Sequence, residues 1–142
     1  MKGAGLEQAR LVRTVRFQAR HHYHNPAWSA EENARVFGLQ TDSHAHDWRV
    51  VVHVVGPVDP STGWCCDLGR LDDALGRLLD GWDGGDLNAL IPEVAEGVLR
   101  PSTENLARWI YRRLEGEVAA PAAVRTVEVH ESDALGSAYP AG

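Results

Sequence analysis

The chain has 142 residues, 44% of them hydrophobic and 24% charged, which is enough for one domain with a real buried core. A formal charge of -6 argues against nucleic acid as the main partner, because phosphate binding needs a basic face. No apolar run approaches the length that spans a bilayer, and Met1–Arg10 is polar with no leader-like apolar stretch, so no membrane partner and a cytoplasmic location are expected.

In chain order, the alternation over Val12–Ala19 predicts a strand, and Ser29 is placed to cap a short helix reaching Phe37. Trp48–Val55, read WRVVVHVV, is rich in β-branched residues and is the clearest strand. Gly56-Pro57 ends it, and Asp59–Gly63 is a turn cluster. Asp67 reads as the cap of a helix carrying Leu68, Leu71, Leu75, Leu78 and Leu79 at helical spacing, broken by Gly84-Gly85. Pro101-Ser102-Thr103 opens a second helix with Leu106, Trp109, Ile110 and Leu114 on one side. Val124–Glu131 alternates as a strand, and a short last strand is expected near Tyr139. The order predicts an α+β domain with two helices on one face of an antiparallel sheet.

The cysteines, Cys65 and Cys66, are adjacent and make no disulfide framework; they read as small buried apolar residues rather than nucleophiles. The histidines are the unusual feature: seven in all, five of them in the clusters His21, His22, His24 and His44, His46. Side chains at i and i+2 of an extended chain share a side, so His44 and His46 can meet one ion. His21 ends the first predicted strand and would join them if the two strands are neighbours. Three imidazoles with an open fourth position is the donor set of a catalytic zinc site. By spacing alone, H-x-H is more often a solvated or structural pair. His53 has the opposite parity from His46 and reads as structural.

Six segments in order resemble one known family. Phe17–His21 is similar to F-x-A-x-H, His44–Trp48 to H-G-H-N-Y, and Gly63–Leu68 to G-M-V-x-D-F. Asp83–Asn88 resembles D-H-x-x-L-N, Pro101–Ala107 resembles P-T-x-E-N-L-A, and Val129–Glu131 matches V-x-E. These are motifs of the 6-pyruvoyltetrahydropterin synthase and 6-carboxytetrahydropterin synthase family. The resemblance implies a T-fold over 1–142 with its core at about 11–140: a four-stranded antiparallel sheet with two helices, assembling side by side into a barrel. It implies Zn2+ on His21, His44 and His46, a small-molecule substrate, and a trimer-based homo-oligomer of up to six chains.

The resemblance also implies a lyase acting on a pterin of the dihydroneopterin triphosphate type. Glu131 would hold the aminopyrimidinone edge, as a carboxylate accepts paired N–H bonds. Thr103 and Glu104 would line the same pocket, although an acidic residue in a helix's first turn is also favoured by the dipole. Two positions depart from the family. Gln40 stands where a catalytic Cys is expected and is grouped with the substrate-binding residues; Gly84 replaces the His after the retained Asp83. Neither can move a proton, so Asp83, His22, His24, Asp42 and Asp86 are the candidates for that role. Two alternatives follow: a diverted zinc enzyme running an aldol-type or cyclisation step on another aldehyde or heterocycle, and a non-catalytic zinc-containing binding module.

Overall fold

The computed structural model describes residues 7–142, so the first six residues of the stretch read for a leader lie outside the described residues. Two 14-residue strands dominate: β1 (Gln8–His21) and β2 (His44–Pro57). They run antiparallel in continuous register, from Gln8 opposite Pro57 to His21 opposite His44. Both are longer than the expected spans. Their polar ends lack a strand-like pattern, yet the backbone ladder continues through them because the partner strand continues alongside.

β4 (Ala123–His130) pairs antiparallel with β2, and β5 (Gly136–Tyr139) with β4. Among the described residues the sheet has five strands rather than four. The extra one is β3 (Gly85–Asp86), a two-residue bridge lying parallel to β1 in the order β3-β1-β2-β4-β5. Gly84 turns the chain into it with φ 76°, and a Cβ on Gly85 would sit 2.4 Å from the Gly81 carbonyl. A two-residue bridge is too short to leave an alternation in the sequence.

The helices are α1 (Ala30–Phe37), α2 (Leu68–Leu78), α3 (Leu87–Leu90), α4 (Pro92–Ala95) and α5 (Thr103–Leu114). Asp67 and Ser102 cap α2 and α5 by accepting from the Arg70 and Asn105 backbone N–H groups, and Ser29 caps α1 as expected. Strand alternation decides the core. Phe17, Ala19, Trp48, Val50, Val52, Val54, Val127 and Val129 face Leu71, Leu75, Leu106, Ile110 and Leu114, all buried. Each such side chain contributes about 1.5–3 kcal/mol on burial. Trp48 is 1% exposed, and its indole N–H donates to the Ala19 carbonyl at 3.0 Å, which removes the cost of burying it. Among the described residues no helix packs on the opposite sheet face, where Arg10, Thr14, Arg16, Gln18 and Arg20 of β1 stand exposed. Among the described residues, no helix is long and apolar enough to cross a membrane.

Candidate metal centre

The register sets the centre. His21 closes β1 directly opposite His44, and His46 lies two residues along β2 on the same face. The three imidazoles converge, with ring centroids 4.6, 4.9 and 5.1 Å apart and ligand atoms all within 4.8 Å. Trp48, next on that face, backs the cluster with its ring 4.8 Å from His21 and 5.5 Å from His46.

Two of the three rings are oriented by backbone carbonyls. His21 is fully buried, with Nδ1 2.9 Å from the Pro101 carbonyl. A carbonyl only accepts, so Nδ1 carries the hydrogen and Nε2 presents a lone pair. That Nε2 is buried and makes no hydrogen bond. His44 Nδ1 is likewise 2.7 Å from the Asp42 carbonyl. Metal-bound histidines are held this way, with the second nitrogen donating to a carbonyl. His46 Nε2 is also buried and unpaired; it lies 3.1 Å from Glu131 Oε2, too poorly aligned for a hydrogen bond. Burial pulls His21 down to about 4; the Pro101 carbonyl opposes this, and the neighbouring histidines add to it. The ring is therefore neutral at neutral pH, the form that binds metal. Two orphaned buried nitrogens and a three-imidazole donor set, with one ligand atom from each residue within 4.8 Å of the others, fit a metal ion.

The carboxylate side of the pocket also assembles. Glu131 lies one residue beyond β4, its side chain 13% exposed. Thr103, 2% exposed at the start of α5, has its hydroxyl 2.6 Å from Ser137 Oγ and 3.0 Å from Glu104 Oε1. Glu104's own backbone N–H, then Thr103 and Ser137, hold its carboxyl below the usual range against the opposing effect of burial. Tyr23 completes this wall. Its ring meets His21 edge-on at 5.4 Å, and its backbone N–H donates to the Gln40 carbonyl at 2.8 Å. Burial, then the charges of Glu131 and Glu104, push the phenol up to about 12. Sequence reasoning missed both Tyr23 and Ser137. The available signal for Tyr23 was its i+2 parity with His21.

The proposed proton-transfer residues are more scattered. Asp42 is exposed, and its backbone carbonyl, not its carboxylate, holds His44. Gln40 is exposed in the 3₁₀ turn Gly38–Thr41. His22 is half-buried against Asn88, whose side chain accepts its backbone N–H at 2.9 Å and donates to its carbonyl at 3.0 Å. His22 and His24 line a separate cavity of about 320 Å3 with Asn88, Val94 and Glu96. Asp83 accepts from the Gln18 backbone N–H at the β1 edge, and Asp86 caps α3 at the Asn88 N–H. Within one chain none of His22, His24, Asp42 or Asp83 lines the cavity that His46 and Glu131 share, and neither do Gln40, Thr103 or Glu104. His53 lies on the other sheet face, with Nε2 2.5 Å from Glu128, as its parity predicts. Cys65 and Cys66 are half-buried, and burial pushes the Cys66 thiol up to about 11.

A long antiparallel ribbon carrying three convergent histidines, with α2 and α5 packed on one face, defines an α+β protein with a three-imidazole centre. The sequence profile described as 6-pyruvoyl tetrahydropterin synthase matches residues 10–141. The 6-pyruvoyl tetrahydrobiopterin synthase of Homo sapiens is 32% identical over 129 residues, 89% of this chain and 87% of that one. The Drosophila melanogaster protein of the same name is 32% identical over 125 residues, 86% of this chain and 73% of its own. The 6-pyruvoyl tetrahydropterin synthase structure from Caenorhabditis elegans has the same T-fold, with TM-score 0.85, 24% identity, and 94% of this chain and 96% of that one covered. The chain belongs to the 6-pyruvoyl tetrahydropterin synthase family.

Proposed function

We propose that this protein is a zinc-dependent synthase of the lyase type in pterin biosynthesis, acting on a dihydroneopterin triphosphate-like substrate. The observation that carries the reading is the buried, unpaired His21 Nε2, held by the Pro101 carbonyl and facing His44 and His46. Zinc bound there would supply Lewis acidity toward a carbonyl or hydroxyl of the substrate. Glu131 accepts the N–H edge of the heterocycle, Tyr23 offers a neutral phenol O–H beside it, and Thr103, Glu104 and Gln40 complete the binding wall. Asp83, His22, His24 and Asp42 are the proton-transfer candidates. Those held away from the centre within one chain would act at the junction with a neighbouring subunit.

The domain is one T-fold unit. β5 and the two-residue β3 leave sheet edges that neighbouring copies would close. A trimer-based, cytoplasmic homo-oligomer is therefore part of the same reading.

A specific observation favours a second reading, a diverted member running other carbon–carbon or carbon–nitrogen chemistry. Gln40 supplies an exposed amide where a base is expected, and Gly84 supplies no side chain. The deciding experiment is turnover of dihydroneopterin triphosphate by the zinc-loaded protein, with zinc content measured for the natural chain and for His44→Ala. Turnover at an ordinary enzymatic rate sustains the first reading. Zinc binding without turnover moves the assignment to the second, and full zinc retention in His44→Ala overturns the metal site itself.

A further inference from the structure

β2 extends past the end of β4. Their pairing begins at Arg49 opposite His130, so residues 44–48 of β2 have β1 on one side and no strand on the other. The resulting notch opens a cavity of about 540 Å3, a size that suits a metabolite. His46 and Glu131 line it on the side of the metal centre, and Arg16, Arg49 and His130 line it on the helix-free side.

Those three residues form a row across the sheet. Arg16 stands directly opposite Arg49, and Arg49 directly opposite His130. Two guanidiniums facing each other on adjacent strands repel, and a fold has no structural reason to place them so. The compensation inside the chain is thin. Arg16 makes no side-chain hydrogen bond or ion pair among the described residues. Arg49 NH1 lies 3.6 Å from Asp133, which is fully exposed, and exposed pairs of that kind contribute little. Of the other two acids in the notch, Asp47 is occupied by the Gln18 amide at 2.7 Å and Glu131 lies on the side of the metal centre, 3.1 Å from His46. His130 gives its Nε2 to Glu128 at 2.8 Å, with its ring against Gly136, so it acts as a wall and leaves Arg49 facing the opening.

We propose that Arg16 and Arg49 form an anion subsite that binds the phosphate tail of the substrate while its other end lies at Glu131 and the three histidines. The subsite rests on the proposed function, since it places a phosphorylated substrate in the cavity shared with His46 and Glu131. Two guanidinium forks match phosphate oxygens in charge and geometry. Bound phosphate removes the cross-strand repulsion and displaces Asp133 at little cost.

The test compares the affinities of neopterin and neopterin triphosphate, each measured by calorimetry on the zinc-loaded natural protein and on the Arg16→Gln, Arg49→Gln double variant. The natural protein should prefer the triphosphate by about 10-fold or more, and this preference should shrink toward unity in the variant and at high salt. The Arg16→Lys, Arg49→Lys double variant keeps the charge and should retain part of the preference, which separates loss of the subsite from loss of the fold. Equal affinities in the natural protein would overturn the subsite, as would a preference that survives in the glutamine variant. If neopterin binds without a triphosphate preference, only the subsite falls. If the triphosphate binds through the arginines and neopterin does not bind, the heterocycle reading falls and the subsite stands. If neither ligand binds the natural protein, both fall.

Discussion

His21 and His44 share one ion in the proposed centre but differ in what else they do, and that difference is measurable. A ligand that binds only the folded state stabilises it by RT ln(1 + [L]/Kd), about 2.7 kcal/mol at a free concentration 100 times Kd. For a domain of this size each kcal/mol moves the melting temperature by about 3–4 °C, so zinc should raise the natural protein by about 8–11 °C over chelator. Either His→Ala change should abolish most of that increment. In chelator the two variants should part. His44 is half-buried and its Nδ1 partner, the Asp42 carbonyl, lies in an exposed segment that water can serve. His44→Ala should therefore melt within about 2 °C of the natural protein when both lack metal, as expected for a surface change of about 0.5 kcal/mol.

His21→Ala, by contrast, empties a fully buried site beside Trp48 and leaves the carbonyl of buried Pro101 without its donor. An unpaired buried acceptor costs about 1–3 kcal/mol and the lost packing adds to it, so about 2–4 kcal/mol is expected even without zinc. Thermal unfolding of the three proteins at fixed protomer concentration, in buffered zinc and in chelator, gives each of these differences. A zinc increment retained in His44→Ala would refute the shared site. A His21→Ala protein that melts with the natural one in chelator would refute the structural role of the Pro101 contact.

Glu131→Ala should lower pterin affinity about 10-fold or more, the loss of a charge-assisted pair of hydrogen bonds, while zinc content by metal analysis stays at the natural level. Glu128 has its carboxyl held below the usual 4.5, first by the His130 hydrogen bond, with burial opposing and His53 adding to the lowering. A depressed carboxylate stabilises the fold above its unfolded pKa, and that contribution is lost as pH falls through the lower folded value. Glu128→Gln should accordingly flatten the acid limb of denaturant-measured stability below about pH 4.5. Glu93 accepts from the Trp109 indole N–H at 3.0 Å and from Arg113 at 2.6 Å, so Glu93→Ala should cost about 1–3 kcal/mol in urea unfolding. In a Gln40→Cys, Gly84→His double variant, synthase activity should rise over the natural protein. The Gly84 change should also lower the melting temperature, because its φ of 76° strains any L side chain by about 1–2 kcal/mol.

Much of the scaffold was legible because period and parity carry it. The β-branched run from Trp48 to Val55, the leucine spacing after Asp67 and the capped start at Ser102 each encode a local structure, and each is where the pattern put it. The convergence of the three histidines was legible for the same reason, since His44 and His46 share a face by parity and His21 needed only strand adjacency, whereas reading them as a metal site rested on the family resemblance. β3 was not legible, because Gly85 and Asp86 are in a strand solely through being laid against Ala19 and Arg20. The Arg16–Arg49 opposition was hidden too, since it depends on a register running from residue 8 to residue 57.

The part of the centre that decides which nitrogen each histidine offers was unreadable for a different reason. The groups that fix His21 and His44 are the backbone carbonyls of Pro101 and Asp42. Every residue has such a carbonyl, so residue identity says nothing about which one reaches an imidazole. Asp42 illustrates the trap: its carboxylate drew attention as a proton-transfer candidate, while the atom in contact with His44 is the one it shares with all other residues. Under the proposed function, a base in place of the Cys and His would be found the same way, by asking which titratable group comes over the open side of His46 and Glu131. Tyr23 is a group of this chain packed against His21, and its phenol is held protonated by burial and by Glu131 and Glu104. It can donate a hydrogen bond to a substrate oxygen but cannot serve as a base at neutral pH, so under the proposed function the proton acceptor would be another of the candidate groups or the substrate itself.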